Sequence, residues 1–281
     1  MTEWMVTFNV GGSFARHEVR AHALEWAQRS LESKRPAIVF AQEVPSDEWL
    51  AVWGEAGYEV SLGHDRQWKV RSALVTRKDL TVSPLSRDDF ANLHYHGSYL
   101  AAARWSTRVG EVVLASVHAS PNPAEPDRYG WRGQLPEARD GGGDVRYLRG
   151  ERWDSDLVLA TLGEMANSGT GLLIAAGDLN EALAFDLGPD GGRMGTWGKE
   201  FFQMVRDYGL EPWLHMAWGG ERVTHDTLQL DHVLVTQPAL ALLSESPPPA
   251  IDDDWTLEEG VAERSDHAPV WVALNDQAFE S

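Results

Sequence analysis

The chain has 281 residues, a formal net charge of −19 at pH 7 and no cysteine. The absence of cysteine excludes disulfides, thiolate catalysis and cysteine-based zinc sites. The acidic balance disfavours tight non-specific binding of nucleic acid, because contacts with phosphates need a surplus of Lys and Arg. Hydrophobic residues make up 43% of the chain and include 13 Trp, which supplies a sizeable core and excludes disorder of the whole chain.

Short apolar runs that end in polar residues recur along the chain and predict strands, with helix-like stretches between them. In chain order, the predicted elements are strand Val6–Val10, helix Ser13–Ser33, strand Ala37–Val44, helix Ser46–Ala56, strands Ser72–Arg77, Tyr99–Ser106 and Glu111–His118, helix Trp153–Asn167, strand Gly171–Asn180, helix Lys199–Tyr208, and strands Gln229–Thr236 and Pro269–Leu274. The early alternation of strands and helices, followed by pairs that look antiparallel, indicates a mixed α/β fold. No change in composition divides the chain, so we predict one domain over residues 1–281.

The start of the chain lacks the features of a secretory signal. Met1–Trp4 runs directly into the strand-like stretch Met5–Val10, with no basic region and no longer apolar run. No segment approaches 18 uninterrupted apolar residues, the length needed to cross a bilayer. We therefore expect a soluble, cytoplasmic protein without membrane insertion.

Polar residues of the kinds used in catalysis stand at the ends of the predicted strands. They are Asn9, Glu43, His118, Asp178 and Asn180 after strands, and Asp231, Asp266 and His267 before or at the start of strands. Each alone has an ordinary structural explanation, since an isolated acid at a strand end is usually a turn former or a helix cap. The complete set, in order and at strand ends, instead indicates a shared site.

These residues lie in short motifs that resemble those of the endonuclease/exonuclease/phosphatase superfamily. The motifs are Val6-Thr7-Phe8-Asn9-Val10, Ala41-Gln42-Glu43, Ser116-Val117-His118, Gly177-Asp178-Leu179-Asn180, Leu230-Asp231-His232-Val233 and Ser265-Asp266-His267-Ala268-Pro269. That superfamily includes pancreatic-type DNases, abasic-site endonucleases similar to exonuclease III, inositol polyphosphate 5-phosphatases, neutral sphingomyelinases and deadenylases. The resemblance implies a four-layer α/β sandwich, in which two packed mixed sheets are flanked by helices and the site lies at one edge.

Hydrolysis of a phosphoester requires neutralisation of phosphate charge and stabilisation of the departing alkoxide, which a hard cation with oxygen ligands provides. Glu43 is the best primary ligand, as the resemblance also implies, with Asn9 and Asp266 nearby or acting through water. Mg²⁺ keeps several waters, so one or two direct carboxylates suffice. Mn²⁺ should substitute, since it accepts the same oxygen ligands.

The remaining motif residues have expected roles in the reaction. Asp178 is the expected base that orients the attacking water, and Asn180, two residues on, would face the same side and contact the phosphate. His267 would contact a non-bridging oxygen as an imidazolium, held by the carboxylate of Asp231. His118 matches the second histidine of the family, which assists the leaving group or stabilises the transition state.

The chain departs from the pattern of pancreatic-type DNases at one point. Those enzymes pair the second histidine with an acid on a nearby strand, whereas the corresponding stretch here, Val70–Leu74, contains no acid. Either another carboxylate orients His118, or His118 is less important in this protein.

A stretch between His118 and Asp178 is locally basic. Residues 128–152 contain six Arg and only four acidic residues. Arg128, Arg132 and Arg146 are candidates for binding substrate phosphates, although an arginine-rich loop can equally pair with the protein's own acids.

Other histidines have weaker claims to function. His94 and His96 could share one face of a strand, but no third metal ligand is evident nearby, so we expect surface or cleft-rim residues. We expect the same of His215, His225 and His232, and His232 should face away from the acid that precedes it.

The sequence leaves three functional hypotheses open, of which two are enzymes and the third is a non-catalytic binding protein. The leading hypothesis is a nuclease that cuts phosphodiester bonds. The alternative is a phosphatase or phosphodiesterase acting on an inositol phosphate, a phospholipid headgroup or a nucleotide, which the acidic balance mildly favours. A binding protein that has lost catalysis would require a degraded site, and the motif residues are all present.

Overall fold

The computed structural model describes residues 2–11, 17–44, 47–63, 71–85, 100–121, 153–187, 196–252 and 265–279. In chain order the elements are β1 Glu3–Asn9, α1 His17–Ser33, β2 Ile38–Gln42, α2 Asp47–Glu55, β3 Tyr58–Leu62, β4 Ala73–Arg77, β5 Val82–Pro84, β6 Leu100–Thr107, β7 Gly110–His118, α3 Asp154–Asn167, β8 Leu173–Asp178, a 3₁₀ helix Leu183–Leu187, α4 Trp197–Asp207, β9 Leu210–Pro212, α5 Trp213–Trp218, β10 Asp231–Thr236, a 3₁₀ helix Gln237–Leu242, β11 Ala250–Ile251, β12 Val270–Leu274 and a 3₁₀ helix Asp276–Ala278. None of the helices in these ranges combines the length and the hydrophobicity needed to span a bilayer.

The eight strands and four helices predicted from the sequence are all present, with ends that coincide or differ by at most four residues. The first predicted helix began at Ser13, and residues 13–16 lie outside the described ranges. Four short strands were not predicted, namely β3, β5, β9 and β11. They contain two to five residues each, and runs this short carry too little periodicity to be recognised. The short helix α5 was missed for the same reason.

The strands form two mixed sheets of six strands each. The orders are β11-β12-β1-β2-β4-β3 in the first sheet and β5-β6-β7-β8-β10-β9 in the second. Each sheet has one parallel pair at its centre, β1–β2 and β7–β8, and antiparallel pairing elsewhere. The carboxyl ends of these four central strands are therefore the natural place for a shared site.

Both faces of each sheet are buried, which explains why the strands are apolar without alternation. On β1, Met5 packs between the two sheets, whereas Val6 and Phe8 pack against α1 and α2 on the outer side. On the second sheet, the outer side is covered by α3 and α4, through residues such as Leu157 and Phe201. The order of layers is helix, sheet, sheet, helix, as predicted for the four-layer α/β sandwich.

Polar contacts join the two sheets just beneath the edge where the motif residues lie. The side-chain amide of Gln42 at the end of β2 donates to Ser116 Oγ on β7 (3.0 Å), and that hydroxyl donates to the carbonyl of Ala41 (3.0 Å). Gly177 on β8 lies beside this contact, since a Cβ atom there would be 3.1 Å from Gln42 Nε2, and only 1.8 Å from the carbonyl oxygen of Val117 on the neighbouring strand β7, at a φ of +155°. Only glycine permits so close an approach of the backbones.

Candidate active site

Asp178 is the centre of the site. It ends β8, is 1% exposed, and its Oδ2 accepts hydrogen bonds from Asn9 Nδ2 (3.0 Å) and Asn180 Nδ2 (3.1 Å). The same oxygen lies 3.5 Å from His267 Nε2 and 3.7 Å from His118 Nε2. Four residues, from position 9 to position 267 of the chain, thus meet around the carboxylate of Asp178.

Asn180 has a backbone conformation that suits its residue type. Its φ is +51°, in the left-handed region that asparagine tolerates better than most residues. Its N–H donates to Asp178 Oδ1 (2.8 Å), and its side-chain amide also donates to the carbonyl of Ala119 (2.7 Å). These bonds hold the amide of Asn180 beside the Asp178 carboxylate at the partly exposed rim of the site.

His267 is buried and held from both sides. Its Nδ1 lies 2.9 Å from Asp231 Oδ2, and its backbone N–H donates to Ser265 Oγ (3.2 Å). Ser265 in turn donates to the carbonyl of Asn9 (2.6 Å), which ties this segment to the end of β1. Burial lowers the pKa of His267, but the charges of Asp231 and Asp178 outweigh it and raise the pKa to about 10. The ring is therefore an imidazolium at neutral pH.

Asp231 and Asp178 lie directly opposite each other on neighbouring antiparallel strands. Asp231 is fully buried, and its backbone N–H donates to Thr224 Oγ1 (3.1 Å). Burial raises the pKa of Asp178, as does the charge of Asp231, while the nearby rings of His267 and His118 lower it. A carboxyl group with a raised pKa can accept a proton more readily near neutral pH, as a catalytic base must.

Glu43 and His118 approach each other from different sheets. Glu43 directly follows β2 with a φ of +50°, and its Oε1 lies 3.6 Å from His118 Nε2 at the end of β7. The stretch that lacks an acid, Val70–Leu74, is described from residue 71 onward. Among the described residues, carboxylate oxygens of Glu43 and Asp178 lie within 4 Å of His118 Nε2.

Asp266 is placed differently from the other motif residues. Its side chain is 73% exposed, and its Oδ2 lies 3.1 Å from His225 Nε2. That hydrogen bond lowers the pKa of Asp266. Partial burial opposes the effect, and the charge of His267 adds to it. Within the described ranges, His225, Asp266 and His267 are the one group of three or more His, Cys, Asp or Glu residues whose ligand atoms all lie within 4.8 Å of one another.

His225 lies at the rim of the site, as expected, since its side chain is 26% exposed and its ring centroid is 4.5 Å from that of His267. His215 and His232 are placed differently from the sequence-based expectation. The side chain of His215 is only 10% exposed. His232 is 1% exposed rather than at the surface, and its Nε2 contacts the carbonyl of Glu181 (2.7 Å). It faces away from Asp231, as predicted. No sequence pattern separates His225 from His215, so only its position in space reveals it.

Several predicted residues lie outside the described ranges. They are Arg128, Arg132 and Arg146, the candidates for phosphate binding, together with His94 and His96. Their assignments stay predictions.

Comparison with known proteins gives one family match and several structural matches. A family model described as "Endonuclease/Exonuclease/phosphatase family" matches residues 6–267. A search of curated proteins found no match.

Similar solved structures include a 3′ phosphatase, NExo, from Neisseria bound to product DNA hairpin, with 18% identity, a TM-score of 0.63, and coverage of 97% of this chain and 99% of that one. The endonuclease domain of TRAS1, a telomere-specific non-LTR retrotransposon, has 16% identity, a TM-score of 0.60 and coverage of 99% and 100%. Truncated TDP2 from Caenorhabditis elegans has 16% identity, a TM-score of 0.59 and coverage of 98% of both chains. At these identities the likeness establishes the fold.

Proposed function

Because this chain belongs to the endonuclease/exonuclease/phosphatase family, whose members hydrolyse phosphoric esters, we propose that it is a Mg²⁺-dependent nuclease that cuts phosphodiester bonds. The observation that carries this proposal is the convergence on Asp178 of Asn9, Asn180, His118 and His267 within 3.7 Å of one carboxylate oxygen. A buried acid, two amides and two imidazoles at a sheet edge are the groups that phosphoester hydrolysis needs.

Asp178 acts as the base that orients the attacking water and accepts its proton. Its raised pKa makes it a stronger base than an exposed aspartate, while the hydrogen bonds from Asn9 and Asn180 keep its oxygens in fixed directions. Asn180 lies at the rim, where its amide can also contact a phosphate oxygen.

His267 contributes positive charge where the pentavalent transition state accumulates negative charge. The Asp231 carboxylate keeps the ring protonated and leaves Nε2–H available to a non-bridging oxygen. His118, whose Nε2 lies 3.7 Å from Asp178 Oδ2, would act on the leaving group.

The donors on the first sheet fit a hard divalent cation. Glu43, Asn9 and Asp266 offer carboxylate and amide oxygens, which Mg²⁺ and Mn²⁺ both accept. Asn9 Oδ1 accepts the N–H of Gly11 (3.0 Å) while its Nδ2 faces Asp178, so this amide oxygen is held in one orientation. When bound, the ion would neutralise charge on the non-bridging oxygens and stabilise the departing alkoxide.

Nucleic acid is the proposed substrate. Similar folds include an endonuclease domain and a 3′ phosphatase bound to a DNA hairpin, and Arg128, Arg132 and Arg146 would contact phosphates of the strand. Weak binding through a few local Arg residues is compatible with a net charge of −19.

A small phosphorylated molecule is the second candidate substrate. The observation that favours it is the net charge of −19, which repels a long polyanion more strongly than a single phosphate group. This candidate predicts release of inorganic phosphate or a small alcohol, without shortening of any polymer.

Assays with supercoiled plasmid, single-stranded DNA and RNA, each with Mg²⁺, Mn²⁺ or EDTA, test the proposal. We expect cleavage that depends on the metal and that Asp178→Asn and His267→Ala reduce by at least about 10²-fold. Asp276→Asn and His22→Ala, at more exposed positions in other elements, are the matched controls. Phosphate release from small esters without polymer cleavage would favour the second candidate, and full activity of Asp178→Asn would refute the mechanism.

A further inference from the structure

The backbone around His225 is fixed against the segment that carries Asp266 and His267. The carbonyl of Thr224 accepts the N–H of Ala268 (2.7 Å), and His225 and His267 form an isolated antiparallel bridge. Thr224 Oγ1 also accepts the N–H groups of Leu230 and Asp231 at the start of β10 (3.1 Å each). The loop before β10 is thus part of the frame of the site.

The side chain of His225 makes a polar contact and a ring contact with described residues, through different parts of the ring. Its Nε2 lies 3.1 Å from Asp266 Oδ2, within hydrogen-bond distance. Its ring centroid lies 4.5 Å from that of His267, at an interplanar angle of 50°. The side chain of His225 is 26% exposed and that of His267 is 6% exposed, so His225 lies on the solvent side of His267.

Among the described residues, the side-chain hydrogen bond recorded for the Asp266 carboxylate is the one with His225. The Asp266 side chain is 73% exposed, and an exposed carboxylate with two free torsions loses conformational entropy when it becomes a ligand. A hydrogen bond to one oxygen restricts the rotamer before the ion arrives and leaves the other oxygen available. Residues that orient ligands in this way commonly contribute 10- to 100-fold to metal affinity.

We infer that His225 is a positioning residue of the active site, which orients Asp266 for divalent-ion binding through Nε2 and covers the solvent side of His267 with its ring. The inference rests on the proposed function, in which Asp266 belongs to the metal ligands. It adds a third histidine to the site, from a loop that contributes no motif residue of its own.

The same three side chains have the donor set of a separate metal site, but the geometry around His267 disfavours that arrangement. His267 Nδ1 is occupied by Asp231, and its Nε2 faces the Asp178 carboxylate at 3.5 Å. A ring held between two carboxylates keeps a proton on each nitrogen and offers no lone pair to a metal.

The two contacts of His225 can be separated by substitution. His225→Phe keeps an aromatic ring against His267 but removes the donor to Asp266, and His225→Gln keeps an amide donor near the position of Nε2 but removes the ring. His22→Phe is the matched control, since His22 lies on α1 and has its own acidic neighbour, Glu25, at 3.6 Å. Circular dichroism and thermal unfolding of each variant would establish that it is folded.

Mn²⁺ binding without substrate, followed by the electron paramagnetic resonance signal of the free ion, gives a readout that does not depend on turnover. We expect His225→Phe to bind Mn²⁺ about 10- to 100-fold more weakly with unchanged stoichiometry, and His225→Gln and His22→Phe to bind close to wild type. At saturating Mn²⁺, His225→Gln should instead show the lower kcat, because the ring over His267 is missing.

The outcomes separate this inference from the proposed function. If Asp266→Asn weakens Mn²⁺ binding but His225→Phe does not, His225 does not position Asp266, and the proposed function stands. If Asp266→Asn binds Mn²⁺ like wild type, the ligand assignment of Asp266 is wrong and the inference falls with it. If His225→Phe loses one full equivalent of Mn²⁺, His225 is a direct ligand and its positioning role is refuted.

Discussion

Replacement of Asp231 by asparagine tests the electrostatic design of the site, because it removes one charge and preserves the shape of the side chain. The rise of the His267 pKa from 6.5 to about 10 corresponds to about 5 kcal/mol at about 1.4 kcal/mol per pH unit. Asp178 supplies part of this effect. We therefore expect Asp231→Asn to lower the free energy of unfolding by about 3 kcal/mol at pH 6, at the low end of the range for breaking a buried ion pair.

The penalty should depend on pH in a defined direction. The pKa of His267 is higher in the folded state than in the unfolded state, so the stabilisation is complete below about pH 6.5 and disappears as the pH rises through about 10. The difference in unfolding free energy between Asp231→Asn and wild type should therefore be large at pH 6 and small at pH 10.5.

Urea unfolding followed by tryptophan fluorescence measures this difference, since the chain contains 13 Trp. A ¹³C-edited NMR titration of the His267 ring gives the pKa directly, and we expect it to fall from about 10 by about 2 pH units in Asp231→Asn, because the charges of Asp178 and Asp266 still raise it. Asp276→Asn, at an exposed position, controls for the loss of any acid. An equal penalty at pH 6 and pH 10.5, or an unchanged pKa of His267, would refute the electrostatic reasoning.

Further predictions concern the backbone, the loop before β10 and the pH dependence of turnover. Gly177→Ala should lose several kcal/mol of stability or fail to fold, because its Cβ would lie 1.8 Å from a backbone oxygen. Gly57→Ala is the control for backbone strain, since Gly57 also has a positive φ but a Cβ there would meet no atom within 4 Å. Equal losses of stability in urea unfolding of the two variants would contradict the predicted clash. Thr224→Val should lower the free energy of unfolding by about 1–3 kcal/mol, because it removes the acceptor of two buried N–H groups, whereas Thr224→Ser keeps that acceptor. Equal stability of the two variants would refute this role of the Thr224 hydroxyl. The pH dependence of kcat/KM should be bell-shaped, with an acid limb above pH 3.8 from Asp178 and an alkaline limb near pH 10 from His267. If kcat/KM does not fall on the alkaline side, the imidazolium has no catalytic role.

Much of this architecture could be read from the residues alone. The long apolar strands were recognised because their residues are buried on both faces, and burial on both faces produces uninterrupted runs of Val, Ile, Leu and Ala. The polar residues at their ends stood out against those runs. Asp178 and Asn180 were expected to face the same side and Asp231 to hold His267, and both pairs lie within hydrogen-bond distance.

Other features depended on contacts between distant segments. The short strands β9 and β11 exist because longer neighbours offer them hydrogen bonds, a condition that two or three residues cannot express. The carboxylates of Glu43 and Asp178 near His118 come from the residue after β2 in the other sheet and from the end of β8, so the local stretch Val70–Leu74 gives no sign of them.

The sequence by itself determined the mixed α/β class and the identity of the chemical groups, since burial pattern and residue type are local properties, and the four-layer arrangement followed from the resemblance of its motifs to a known family. Only the tertiary structure decided which groups meet. The Gln42–Ser116 contact aligns the two sheets, and the opposition of Asp231 and Asp178 follows from strand register. His225 joins His267 through a loop whose path is set by hydrogen bonds to a segment about 40 residues away along the chain. Distances between such segments are fixed by packing, which periodicity in one segment does not encode.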